Sequence, residues 1–174
     1  MAYFLAKERD GDVLGSFKAY QEYLKRNQNQ FPPGAFMLGT ALCYYNANDH
    51  RCPHDGRLQT VLITEEDESL ETDRRLITMR IKLLGRYGDG HIELFYPEVF
   101  RFEFLESPPS NGMGDWRYDE FTVTSQGRVI HEIEWRETEE NKEPRWVIEA
   151  SDVLYSWIPE KPGVAGAGKS FLSS

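Results

Sequence analysis

Between Leu76 and Leu105 the chain alternates apolar and polar residues through three successive segments. Leu76-Ile77-Thr78-Met79-Arg80-Ile81-Lys82-Leu83 is followed by a turn at Gly88-Asp89-Gly90, and His91-Ile92-Glu93-Leu94-Phe95-Tyr96 resumes the pattern. After Pro97, Phe100-Arg101-Phe102-Glu103-Phe104 alternates again. A period of two puts Ile77, Met79, Ile81 and Leu83 on one face and Thr78, Arg80 and Lys82 on the other. That pattern predicts an antiparallel sheet with one face on a core and one in water. Its core face is filled by Ile, Leu, Met and Phe, so chemistry is expected on the flanking loops, around His54 or Asp115 to Glu120.

The segments on either side extend this reading. Val13, Phe17, Tyr20 and Leu24 recur at helical spacing, with Asp10 or Asp12 placed to cap the start and Phe31-Pro32-Pro33-Gly34 to end it. The run from Ala35 to Tyr45 is apolar all round and reads as a short buried helix, with a buried strand as the alternative. A polar loop follows from Asn46 to Gly56. Leu58 to Thr64 reads as a strand and Glu65 to Asp73 as an acidic connection. Glu106 to Gly114 and Glu137 to Pro144 read as loops. Phe121 to Thr124 and Arg128 to Trp135 flank Ser125-Gln126-Gly127, a hairpin with Gly where positive φ is needed. Trp146 to Glu149 and Val153 to Ile158 complete seven or eight strands.

The expected architecture is α+β: a mainly antiparallel sheet, as a meander, sandwich or partly open barrel, with the N-terminal amphipathic helix packed on it. One domain covers 1–158, helix-rich over 1–48 and β-rich over 57–158, and a flexible tail covers 159–174. The formal charge of −9 argues against nucleic acid, which demands clustered Lys and Arg. It also disfavours anionic membranes and suits a basic protein partner, although solubility alone explains an acidic surface as well. No stretch approaches a membrane span. The start of the chain lacks the pattern of a signal peptide, so a cytoplasmic setting with Cys43 and Cys52 as free thiols is expected.

Four groups of residues could carry chemistry. Gly163 to Ser170 matches the phosphate-loop expression G-x-x-x-x-G-K-S, but only four residues follow it and no strand leads directly into it. It reads as a chance match, so no nucleotide site is assigned. Cys43, His50, Cys52 and His54 are the candidate metal ligands, with zinc as the ion, although their spacing fits no familiar zinc pattern and polar packing is the other reading. Cys52 beside His50 and His54 could also form a thiolate pair. Asp115, Trp116, Tyr118, Asp119 and Glu120 make an acidic–aromatic segment, either a binding rim or a hairpin entry. His131 shares a strand face with Val129, Ile133 and Trp135, while Glu132 and Glu134 point the other way and are poor partners for it.

His54-Asp55-Gly56-Arg57-Leu58-Gln59-Thr60-Val61, followed by Arg80-Ile81-Lys82-Leu83-Leu84 and His91-Ile92-Glu93-Leu94, resembles small β-rich bacterial proteins in which an HD pair precedes the first sheet strand. Some proteins of that kind are immunity proteins of polymorphic toxin systems. The resemblance implies a non-enzymatic inhibitor that binds a protein toxin, with no catalytic residues to carry over. The competing expectation is a small-molecule-binding or metal-dependent enzyme with a site at His54, Asp55 and His131. Self-association is a third possibility.

Overall fold

The structure, a computed structural model, describes residues 5, 12–69, 72–105, 112–136 and 145–160. The first helix, α1 (Val13–Arg26), starts where the Asp12 carboxylate accepts the Gly15 N–H at 2.9 Å. Lys25 and Arg26 in its last turn suit the negative end of the helix dipole. The helix stops before the proline pair. A 3-10 turn (Gln28–Gln30) intervenes, and Pro33 opens α2 (Pro33–Thr40), because proline is favoured at a first helical position where no N–H is required. The Asp152 carboxylate caps α2 from a distant loop, accepting the Gly34 and Ala35 N–H groups at 3.0 and 2.9 Å. A side chain at Gly34 would collide with the Val153 carbonyl, so glycine is required at this contact. The short α3 (Leu42–Tyr45) follows, and the apolar run is helical as expected.

Eight strands come next: β1 (Arg57–Ser69), β2 (Thr72–Leu84), β3 (Gly90–Tyr96), β4 (Val99–Leu105), β5 (Trp116–Val123), β6 (Val129–Trp135), β7 (Arg145–Ala150) and β8 (Leu154–Pro159). They form two four-stranded antiparallel sheets, ordered β1-β2-β3-β8 and β4-β7-β6-β5. The chain crosses between sheets at β3–β4 and returns at β7–β8, so neither sheet is a simple meander. One continuous core joins them, with Met79, Ile81, Leu83, Ile92 and Leu94 from the first and Trp116, Phe121, Val129, Ile133 and Ile148 from the second.

Several sequence expectations are corrected. The acidic segment Glu65 to Asp73 is mostly strand: β1 and β2 continue through it, and Arg75 reaches Glu65 at 3.3 Å across the ladder. The segment from Trp116 to Glu120 is strand rather than loop. Of the phenylalanines in β4, Phe102 and Phe104 share the side of Ile148 and Trp146 but remain 42% and 40% exposed, because β4 is a sheet edge. Phe100 falls in a register shift and stacks under the Arg128 guanidinium at 3.6 Å. Val13, expected on the buried stripe of the helix, is exposed. The Ser125-Gln126-Gly127 turn forms as expected, with Gly127 at φ +74°. The expected loop Glu137 to Pro144 and the Gly163 to Ser170 segment lie outside the described residues. No helix among the described residues is long and apolar enough to cross a membrane.

Edge strand β5 leaves backbone groups unpaired on its outer side, and α1 meets them. The Tyr20 hydroxyl accepts the Phe121 N–H at 2.7 Å and donates to the Phe121 carbonyl at 3.2 Å, while the Tyr23 hydroxyl accepts the Val123 N–H at 2.9 Å. Two tyrosines thus replace part of the missing strand. Tyr20→Phe strips both partners from a buried peptide group and is expected to destabilise by about 2 kcal/mol in urea unfolding, against about 1 kcal/mol for Tyr23→Phe at its half-buried site. Equal stability of Tyr20→Phe and the parent chain would refute this account of the edge.

Candidate functional site

The candidate residues meet at two neighbouring places among the described residues. The first is the HD pair. Asp55 sits at φ +63°, a left-handed conformation that Asp tolerates better than most residues, and its N–H donates to the Trp116 carbonyl at 2.7 Å. Its carboxylate accepts from Arg136 Nη2 at 2.7 Å and faces Arg86 Nη1 at 3.4 Å. Gly56 accepts the Trp116 N–H, and Arg57 bridges to Asp115. Asp115 in turn lies 3.6 Å from Arg136. Asp55 therefore ties the entry of β1 to the β2–β3 turn, the start of β5 and the end of β6. His54 Nδ1 lies 3.3 Å from Asp55 Oδ2 without hydrogen-bond geometry, and its ring meets Tyr118 edge-on at 5.4 Å.

The second place is buried. Asp119 and His131, both on inner positions of the second sheet, are bonded to each other at 2.9 Å through Asp119 Oδ2 and His131 Nε2. The same carboxylate accepts the Tyr44 hydroxyl at 3.0 Å and the Trp116 indole N–H at 3.0 Å. On the far side of the imidazole, the Tyr96 hydroxyl lies 2.7 Å from Nδ1. Each ring nitrogen of His131 thus has one hydrogen-bond partner, Asp119 at Nε2 and Tyr96 at Nδ1. The network spans α3, both sheets and all four side-chain types. Burial pushes the Tyr44 and Tyr96 phenols well above their ordinary range, and the Asp119 charge adds to it. Both therefore stay protonated as donors.

Sequence spacing hid this partnership. Trp116 and Asp119 are three apart, which in a regular strand puts them on opposite faces. A register shift between Trp116 and Tyr118 brings both inward. Glu120, paired in register with Glu132, is also buried, on the next position of β5. Tyr96 belongs to the alternating run expected to carry only packing residues, and it supplies one end of the network. Tyr44 was hidden in an apolar run. Only the positions of Trp116, Asp119 and His131 were visible as candidates.

A cavity of about 280 Å³ lies between the start of α1, α3, the Cys52–His54 loop and the start of β5, with Asp119 among its lining residues. Phe17, Tyr44, Tyr45, Trp116 and Tyr118 contribute aromatic rings to its wall. Cys52 also lines it, but burial pushes its thiol up to about 12, so it is no thiolate nucleophile.

The proposed metal ligands do not assemble. Among the described residues no three His, Cys, Asp or Glu side chains gather in a way that could hold an ion. His50 Nδ1 turns to Asp89 at 2.5 Å, with its ring stacked on Tyr87. His54 faces Asp55, and Cys43 and Cys52 are free. Comparison with protein-family models, with curated proteins and with solved structures finds no match to this chain.

Two outcomes follow from these contacts. Asp55→Ala removes the Arg136 bond and places alanine at positive φ, so it is expected to lower unfolding stability by about 2 kcal/mol in urea, with Asp55→Asn losing less. A stability unchanged in Asp55→Ala would show that the HD pair holds nothing. The buried phenols set an alkaline limit. Tyr20, Tyr44 and Tyr96 have folded values above the ordinary 10.0, so their contribution is complete below about pH 10 and falls as pH rises beyond it. The expected slope is about 1.4 kcal/mol per pH unit for each phenol that ionises only on unfolding. Their tyrosinate absorbance should therefore appear together with the loss of far-UV ellipticity. Ionisation of all nine tyrosines before unfolding would contradict the burial assignment.

Proposed function

We propose that this chain is a non-catalytic module that binds a basic protein, in the manner of an immunity-type inhibitor. The observation that carries the reading is the shape and charge of the β1–β2 hairpin. Strand β3 pairs with β2 only from Met79 to Leu84, so the rest of β2 and the facing part of β1 form a two-stranded arm, tied to the β3–β4 turn by Arg74 and Glu98. Between residues 64 and 78 the sequence places six carboxylates against two arginines. Isolated two-stranded ribbons are marginally stable in water, so a long one adds little to the fold. Among the described residues β1 is the end strand of its sheet, bridged to Asp115 at Arg57, and its Leu62 and Ile63 are 54% and 39% exposed. An open edge offers backbone pairing to a partner strand, and the carboxylates restrict that partner to a basic one.

The absence of free acid–base groups in the buried network supports the non-catalytic part. The Asp119 carboxylate and the His131 imidazole are each engaged on both sides and withdrawn from solvent. A fully bonded pair of this kind has no position open to a substrate proton.

The test is affinity capture from the native host with the parent chain and a Glu65→Gln, Glu66→Gln, Asp67→Asn variant. A basic protein retained by the parent should be lost or bound about ten-fold more slowly by the variant, with unchanged thermal stability, and its association should slow with added salt. Retention that ignores both the arm charges and the salt would overturn the reading, as would the lack of any basic partner.

A further inference from the structure

The cavity beside Asp119 has a chemistry of its own, independent of the arm. Five of its twelve lining residues are Phe17, Tyr44, Tyr45, Trp116 and Tyr118, from α1, α3 and β5. Aromatic faces carry negative potential, so rings that turn their faces to a space favour a cation there over a neutral or anionic guest. The rings are braced against each other: Phe17 and Tyr45 have centroids 5.3 Å apart, and Tyr44 meets Tyr45 edge-on at 5.1 Å. A preformed enclosure needs little ordering when a guest enters.

The wall also holds a carboxylate that, among the described residues, is bonded by no lysine or arginine. The three groups bonded to the Asp119 carboxylate are the Tyr44 hydroxyl, the Trp116 indole N–H and the His131 Nε2. The one arginine among the lining residues, Arg117, is paired with Glu134 at 3.4 Å and lies over the Tyr118 ring at 5.5 Å, so a guest cation would share that ring with it. His54, also in the wall, faces Asp55. A volume of about 280 Å³ accepts a small cationic head with a short chain.

We propose that this cavity binds an alkylammonium group, enclosed by the Phe17, Tyr44, Tyr45, Trp116 and Tyr118 rings and drawn in by the Asp119 carboxylate. Two sources share that chemistry, a free quaternary amine and a lysine side chain. The probes are choline for the first and n-butylammonium for the second, with 3,3-dimethylbutan-1-ol as the neutral counterpart of choline. The Trp116 indole N–H, bonded to Asp119, is the reporter in ¹⁵N-resolved NMR titrations of the full chain.

A saturable shift of that resonance by either cation is expected, with the neutral alcohol at least about ten-fold weaker, the size of a cation–π contribution in a desolvated site. Whichever cation binds more tightly identifies the source. Tyr118→Leu, at a half-buried position, should weaken binding about ten-fold without unfolding the chain. Asp119→Asn should abolish binding if it folds, and Tyr118→Leu keeps the test decisive if it does not. No saturable shift with either cation would overturn the proposal. So would a neutral alcohol that binds as well as choline, or a Tyr118→Leu chain that binds like the parent.

Discussion

A carboxylate with almost no exposure to water is the constraint around which this structure is arranged. Burying an ion costs several kcal/mol unless its lone pairs are satisfied, and Asp119 meets that demand with donors from three separate parts of the chain. Tyr44 brings α3 to the sheet, Trp116 fixes the bulged start of β5, and His131 fixes β6. Through His131 the demand passes on to Tyr96 in the opposite sheet. Losing any one donor leaves a buried acceptor short of a partner, which is costlier than never having built the pair. The two sheets and the helical segment are therefore coupled by hydrogen bonds of fixed direction as well as by apolar contact. Apolar packing alone would tolerate sliding between layers, whereas this network admits one register.

The helices answer a different need. A sandwich of two four-stranded sheets has four edges, and each edge displays unpaired peptide groups. At β5 the Tyr20 and Tyr23 hydroxyls satisfy them. At β4 the apolar side chains stay partly exposed, and one of them is covered by the Arg128 guanidinium. Edge β1 carries a dense row of carboxylates instead. Like charge discourages pairing between copies of the chain. The same molecule thus closes one edge by structure and guards another by electrostatics.

How far the sequence disclosed this depends on the range of the interaction. Alternation from Leu76 to Tyr96 specified β2 and β3 directly, because side-chain direction in a strand is set by neighbouring residues. The Val13–Arg26 helix, with its Asp12 cap, and the turn at Gly127 were legible for the same local reason. The extension of β1 and β2 through the acidic segment was not, since the stability of those strands comes from pairing across the hairpin and not from their composition. The bulge at Trp116 was invisible too, and with it the inward turn of Asp119. His131 stood out as a polar residue on an apolar face, and its nearest acidic neighbours, Glu132 and Glu134, were correctly discounted. Its true partner lies 12 residues away on the adjacent strand, which only the pairing register reveals. The HD pair was conspicuous as a motif, but its clamping role rests on Arg86 and Arg136, distant in sequence and drawn together by the fold.

The placement of polar groups also bears on what the molecule can do. An acid–base pair serves catalysis when one of its atoms is open to substrate and its protonation can change without disturbing the scaffold. The Asp119–His131 pair meets neither condition, for its hydrogen bonds are the joints of the core and a change of proton state would break one of them. A charge held so rigidly has a constant field and surroundings that are already ordered. Aromatic rings form much of the cavity wall beside it. Two of the donors that make its burial tolerable, Tyr44 and Trp116, also line the cavity, so the stability of the core and the chemistry of that wall are set together.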